Sequence, residues 1–271
     1  MKDAIKYHET VKNEQHVFIC AVSGRSSSTA FQRILNSSNE VWIWGEPHGI
    51  LNQLLSLIGH TKELANNNSV KKALAAMYHS YMDNKHLSFY ANAIGNLQPT
   101  IELLISSISN FLMPWAPKVK RFGFKEIDLI NTEMLIYLKE IYPRSYLIFC
   151  FRDPLLQWPS ISKLELLVSF SLDNFLQEYN SIATTYLKYA QKNSINAFVE
   201  NTDLMDVNKV KKIIHYLKIS KIDESLIGVT VHTIKPKKLS KKDTEKILQS
   251  TAYQRYLEMK NMSESFYKSS A

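Results

Sequence analysis

Val17-Phe18-Ile19-Cys20-Ala21-Val22-Ser23-Gly24-Arg25-Ser26-Ser27-Ser28-Thr29-Ala30-Phe31 is the stretch that decides the fold. Its first six residues are an unbroken apolar run of strand formers, the pattern of a strand buried on both faces of a parallel sheet. A turn of small residues follows at once, and then Ala30, Phe31, Ile34 and Leu35 recur at helical spacing on one face. A loop that joins such a strand to a helix aims several backbone N–H groups one way, with the positive end of the helix dipole behind them, and anions bind there. Gly24, Arg25, Ser26, Ser27, Ser28 and Thr29 are the candidate binding residues. The serines and Thr29 are small enough to let a phosphate or sulfate reach the backbone, and their hydroxyls can donate to it. Arg25 adds a permanent cation with forked donors. Taken alone, the same residues read equally well as a serine-rich turn that caps a helix.

Working outward, Val41-Trp42-Ile43-Trp44 reads as a short extended segment that ends at Gly45-Glu46-Pro47-His48-Gly49, at a sheet edge or mouth. Residues from about 50 to 112 read as mostly helical, with breaks at Asn66-Asn67-Asn68 and around 96–99. Two more strands are expected at Phe122–Ile127 and Ser145–Phe151, separated by a helix over Thr132–Ile141. Ala197–Glu200 forms the next, leading into a helix near Val207–Leu217. This alternation predicts an α/β fold, a three-layer sandwich whose central parallel β-sheet is flanked by helices, with ligands at the carboxyl ends of the strands. Residues 1–271 are expected to form one domain, with about 51–118 as a helical insertion or lid that helps bind an acceptor.

A second anion site is suggested where the strand Tyr146–Phe151 runs into Arg152-Asp153-Pro154, with Ser160 eight positions after Arg152. An arginine at a strand's carboxyl end and a serine near the start of the next helix can converge on one phosphate. The plainer alternative is a surface ion pair of Arg152 with Asp153 and an ordinary helix cap at Ser160 after Pro159.

A nucleoside-triphosphate loop would carry a lysine before its final Ser or Thr, and this loop has none. Instead, SGRSSSTAFQRILNSSNEVWIWGEP resembles the 5'-phosphosulfate loop and following helix of sulfotransferases, especially their carbohydrate and tyrosyl-protein branches. The resemblance covers about residues 17–50 and 120–206, and it departs at Ser27, where that family most often has glycine. It implies a P-loop-like fold and 3'-phosphoadenosine 5'-phosphosulfate as donor, with adenosine 3',5'-bisphosphate as product. It also implies that Arg152 and Ser160 hold the 3'-phosphate, and that Glu46 is the general base. His48 is the second candidate for the base, and the plainer alternative for Glu46 is a carboxylate that orients a neighbouring cation or caps a helix. Arg25 is expected to stabilise charge on the departing phosphate. Lys125 and Glu126, in the stretch FGFKEI, are possible acceptor contacts, although a buried ion pair explains them almost as well.

Bulk properties narrow the partners. A net charge of +8 over 271 residues suits an anionic ligand. The aromatic residues are not interleaved with arginine as a stacking platform, which argues against nucleic acid. Two cysteines in apolar runs, Cys20 and Cys150, read as buried thiols in a reducing compartment and not as a metal site. The polar start of the chain and the lack of an 18-residue apolar run give a cytoplasmic expectation without a transmembrane segment. No metal is expected, because the transferred sulfuryl group carries less negative charge than a phosphoryl group. A saccharide hydroxyl is the first choice of acceptor, then a tyrosine or phenol, then a lipid or other secondary metabolite. Trp42, Trp44, Trp115 and Trp158 are candidates to stack on it, packing being their commoner fate. The basic stretch Val231–Lys238 reads as a solvated loop. Two rival classes use the same residues: a metal-dependent nucleotide kinase with Asp153 on magnesium, and a nucleotide or polyanion binder without turnover.

Overall fold

The structure, a computed structural model, describes residues 2–46, 50–66, 97–112, 119, 121–127, 132–163, 170–192, 196–229 and 238–269. His48, Trp115, the middle of the 51–118 segment and residues 231–237 of the basic stretch lie outside them.

Among the described residues, five strands form one sheet: β1 Val17–Ala21, β2 Val41–Trp44, β3 Arg121–Glu126, β4 Tyr146–Phe151 and β5 Asn196–Glu200. Their order is β2-β3-β1-β4-β5, and every neighbouring pair is parallel. All residues of β1 and β4 are buried, which is why both read as continuous apolar runs.

The helices are α1 Lys2–Val11, α2 Ser28–Asn36, α3 Ile50–Asn66, α4 Gln98–Phe111, α5 Thr132–Ile141, α6 Pro154–Ile161, α7 Leu172–Lys192, α8 Val207–Tyr216, α9 Lys241–Leu248 and α10 Thr251–Ser269. Alternate strand residues feed two cores. Val17 and Ile19 of β1 pack with Phe31, Ile34 and Leu35 of α2 and with Val210 and Ile213 of α8. Phe18 and Cys20 face the opposite way, toward Leu55 of α3, Ile108 of α4, Leu138 of α5 and Tyr186 of α7. The sheet therefore has a helical layer on each face, as the alternation predicts. Among the described residues, no helix is long and apolar enough to cross a membrane.

The order of the strands locates the site. From β1 the chain leaves toward β2, and from β4 it leaves toward β5. Connections of one hand that run in opposite directions fall on opposite faces, so α2 and α7 diverge and a crevice opens between the carboxyl ends of β1 and β4.

Gly123 fixes how closely β3 approaches β1. A Cβ there would stand 1.6 Å from the Val17 carbonyl oxygen, so this strand position admits no side chain. One strand position further along β3 than the pairing partner of Ile19, Glu126 lies opposite Cys20, while Lys125 lies opposite Ile19.

Candidate functional site

The loop after β1 lies in that crevice. Val22 N–H donates to the Cys150 carbonyl at 2.8 Å, which carries the β1–β4 pairing past the end of β1. Ser23, Arg25 and Ser27 then adopt left-handed backbone, with φ of 61, 63 and 67°. A side chain at such φ costs about 1 kcal/mol or more, and these residues are neither glycine nor asparagine. A left-handed residue at every other position is a backbone pattern that can turn N–H groups into a concavity suited to an anion. The left-handed φ of Ser27 also gives a physical reason for a glycine preference at that position.

Ser27 stands at the cap position of α2, but its side chain makes no capping hydrogen bond. Its hydroxyl instead accepts from the Asn201 side-chain amide. The plain capping role is therefore not what the serine does. Ser26 Oγ is buried with no hydrogen-bond partner, a costly state for a hydroxyl.

Two guanidinium groups meet at this loop. Arg25 Nε donates to Ser160 Oγ at 3.0 Å, and Arg152 Nη1 donates to the Arg25 carbonyl at 3.3 Å. Arg152 Nε is buried without a partner. Burial lowers the pKa of Arg25; burial first, and then the charge of Arg25, lower that of Arg152. The ion pairs of the described residues leave both guanidiniums out. Two like charges, partly removed from water and facing orphaned donors, form a place where a polyanion would relieve repulsion and satisfy hydrogen bonds together.

The alternative roles for the second site are not realised. Asp153 does not pair with Arg152; it caps α6 by accepting from Leu155 N–H at 2.8 Å, with Pro154 in the first turn. Ser160 lies in the last turn of α6 and not near its start, so Pro159 is inside the helix instead of opening it. The serine still reaches the loop because α6 folds back against it.

Glu46 and Lys125 form a second group at the carboxyl ends of β2 and β3. Lys125 Nζ donates to Glu46 Oε1, and the lysine side chain is 7% exposed. Glu126 is buried and accepts from Ile127 N–H at 3.0 Å, and as a consecutive strand residue it points to the face opposite Lys125. Trp44 donates to the Leu112 carbonyl at 3.1 Å and meets Trp42 edge to face, while Trp158 stacks on Phe175. Among the described residues, no group of three or more His, Cys, Asp and Glu is placed to hold a metal. Both cysteines are free and buried, and burial raises both thiol pKa values.

Four residues around the site are not singled out by motif. Gln157 donates to the Val22 and Gly24 carbonyls at 2.9 and 2.5 Å, and Tyr179 OH donates to the Arg152 carbonyl at 3.0 Å. Asn201 holds Ser27, as above, and Asn36 brackets Ile43, accepting from its N–H at 2.7 Å and donating to its carbonyl at 2.9 Å. A lone amide inside the apolar helix PLLQWPSI is a visible signal for Gln157; the others depend on contacts distant in sequence.

No protein-family model matches the chain, and no curated protein matches it. Among solved structures, it is similar to the "Sulfotransferase Domain from the Synechococcus PCC 7002 Olefin Synthase", with 16% identity and a TM-score of 0.48 over 79% of this chain and 76% of that one. It is also similar to the "Sulfotransferase Domain from the Curacin Biosynthetic Pathway", with 14% identity and a TM-score of 0.48 over 87% of this chain and 97% of that one.

Proposed function

We propose that this chain is a sulfotransferase that moves a sulfuryl group from 3'-phosphoadenosine 5'-phosphosulfate to an acceptor hydroxyl, with a saccharide as the first candidate acceptor. The observation that carries this reading is the linked pair Arg25–Ser160 and Arg152–Arg25 carbonyl. It unites the loop and the second anion site into one cradle, which suits a nucleotide with phosphates at two positions. The orphaned Ser26 Oγ and Arg152 Nε fit such a ligand as unused donors.

The donor, when bound, supplies an activated sulfur whose S–O bond to phosphate is the one that breaks. The loop N–H groups and Arg25 hold the 5' end and take up charge developing on the leaving phosphate oxygen. Arg152 and the Ser160 hydroxyl hold the 3'-phosphate; Ser160 accepts from Arg25 and keeps its own proton to donate. As the acceptor oxygen bonds to sulfur, its proton passes to the Glu46 carboxylate, which Lys125 orients. His48 is the alternative base. Lys125 and Glu126 border the acceptor side, and the 51–118 segment of the single domain 1–271 completes the acceptor pocket. No step calls on a metal. The buried thiols fit a reducing, cytoplasmic setting.

Thermal unfolding with added nucleotides tests the donor site. A ligand at 100 times its Kd stabilises by about 2.7 kcal/mol, which at this size raises Tm by about 5 °C. Adenosine 3',5'-bisphosphate is expected to do so, and 5'-AMP less. Stabilisation by ATP with magnesium but not by the bisphosphate would establish the kinase reading instead. Bisphosphate binding without sulfation of any acceptor in a panel would favour a binder without turnover.

A further inference from the structure

Gln157 is fully buried in α6, in an otherwise apolar sequence, and both of its amide hydrogens point at loop carbonyls. Those carbonyls, Val22 and Gly24, flank Ser23, the first residue of the loop in left-handed backbone. Its own Oε1 is buried and unpartnered. An amide that leaves its own acceptor orphaned while donating to the two carbonyls on either side of a left-handed residue costs stability at that point, a pattern of positions kept for a site. Three residues along, on the same face of the helix, Ser160 touches Arg25.

Resting on the donor-site reading above, we infer that Gln157 is a positioning residue that holds the loop from Val22 to Gly24 in its anion-binding shape and ties it to the helix bearing Ser160. The loop N–H groups converge only while the alternating backbone is kept, and carbonyls pulled to one side by a single amide keep it. The nucleotide's 5' group should feel the loss of this amide directly. The 3'-phosphate, held by Arg152 and Ser160 side chains that meet the loop only at Arg25, should feel it far less.

Gln157→Met keeps the shape and removes both donors. Titration calorimetry with 5'-AMP, 3'-AMP and adenosine 3',5'-bisphosphate reads the consequence. The variant is expected to bind 5'-AMP and the bisphosphate at least about tenfold more weakly, with 3'-AMP changed by less than about twofold. Gln157→Leu, likewise without the amide donors and uncharged, should give the same split. Equal weakening of 5'-AMP and 3'-AMP, or no weakening, overturns the inference while leaving the donor site standing. If neither variant shows a cooperative unfolding transition, Gln157 is a determinant of the fold and the inference falls. A wild-type chain that binds none of the three overturns the donor-site reading and this inference with it.

Discussion

Acid should destabilise this protein through His16. The ring is fully buried, stacks on Phe122 with centroids 3.8 Å apart, accepts from Phe122 N–H through Nδ1 at 3.0 Å and sits 2.8 Å from the Val11 carbonyl through Nε2. With Nδ1 accepting, the single proton belongs on Nε2, and a second proton has no acceptor. Burial is the main cause that lowers its pKa from 6.5 to about 4. Between those values the unfolded chain binds a proton that the folded chain refuses, so stability is complete above pH 6.5 and declines as pH falls toward 4. Moving from pH 7.5 to 4.5 should cost about 2.5 kcal/mol from this one group, at 1.36 kcal/mol per pKa unit. Urea unfolding at 25 °C, followed by tryptophan fluorescence, measures it in the wild type and in His16→Gln. The variant should be less stable at pH 7.5 and yet lose about 2.5 kcal/mol less on acidification. Equal losses in the two proteins would show that His16 is not the source.

Glu46→Gln should lower turnover by about a hundredfold or more while the affinity for adenosine 3',5'-bisphosphate stays within about twofold; undiminished turnover rejects Glu46 as the base. Gly123→Ala places a methyl against the Val17 carbonyl, so it should cost about 3 kcal/mol or more, measured by denaturant unfolding; a loss under about 1 kcal/mol would mean that β3 moves away freely. Asn36→Ala removes both of its bonds to Ile43 and should cost about 1–2 kcal/mol in the same assay.

Local signals announce much of this architecture. β1 and β4 are buried on both faces, so their apolar runs need no partner to be recognised, and the small residues after β1 mark the loop for the same reason. The position of Ser160 is less legible: Pro159 looks like the opening of a helix, but Asp153 and Pro154 had already opened one. Contacts made across more than a hundred residues are not legible at all. Nothing near Asn201 in sequence says that its amide meets Ser27, and nothing near Glu46 says that Lys125 is its partner. The strand order brings those residues together, and the order follows from the directions of the crossovers and not from any one segment.

At the margin of the sheet, β2 pairs among the described residues with β3 alone, which leaves its other side without a neighbouring strand there. Side chains of α2 occupy Ile43 there: Asn36 takes its N–H and, with Gln32, its carbonyl. An exposed strand edge is a template on which a second molecule can add a strand. By mimicking a neighbouring backbone, the two amides deny that template at Ile43, so the helix that starts at the β1 loop also helps keep separate molecules from joining sheet to sheet.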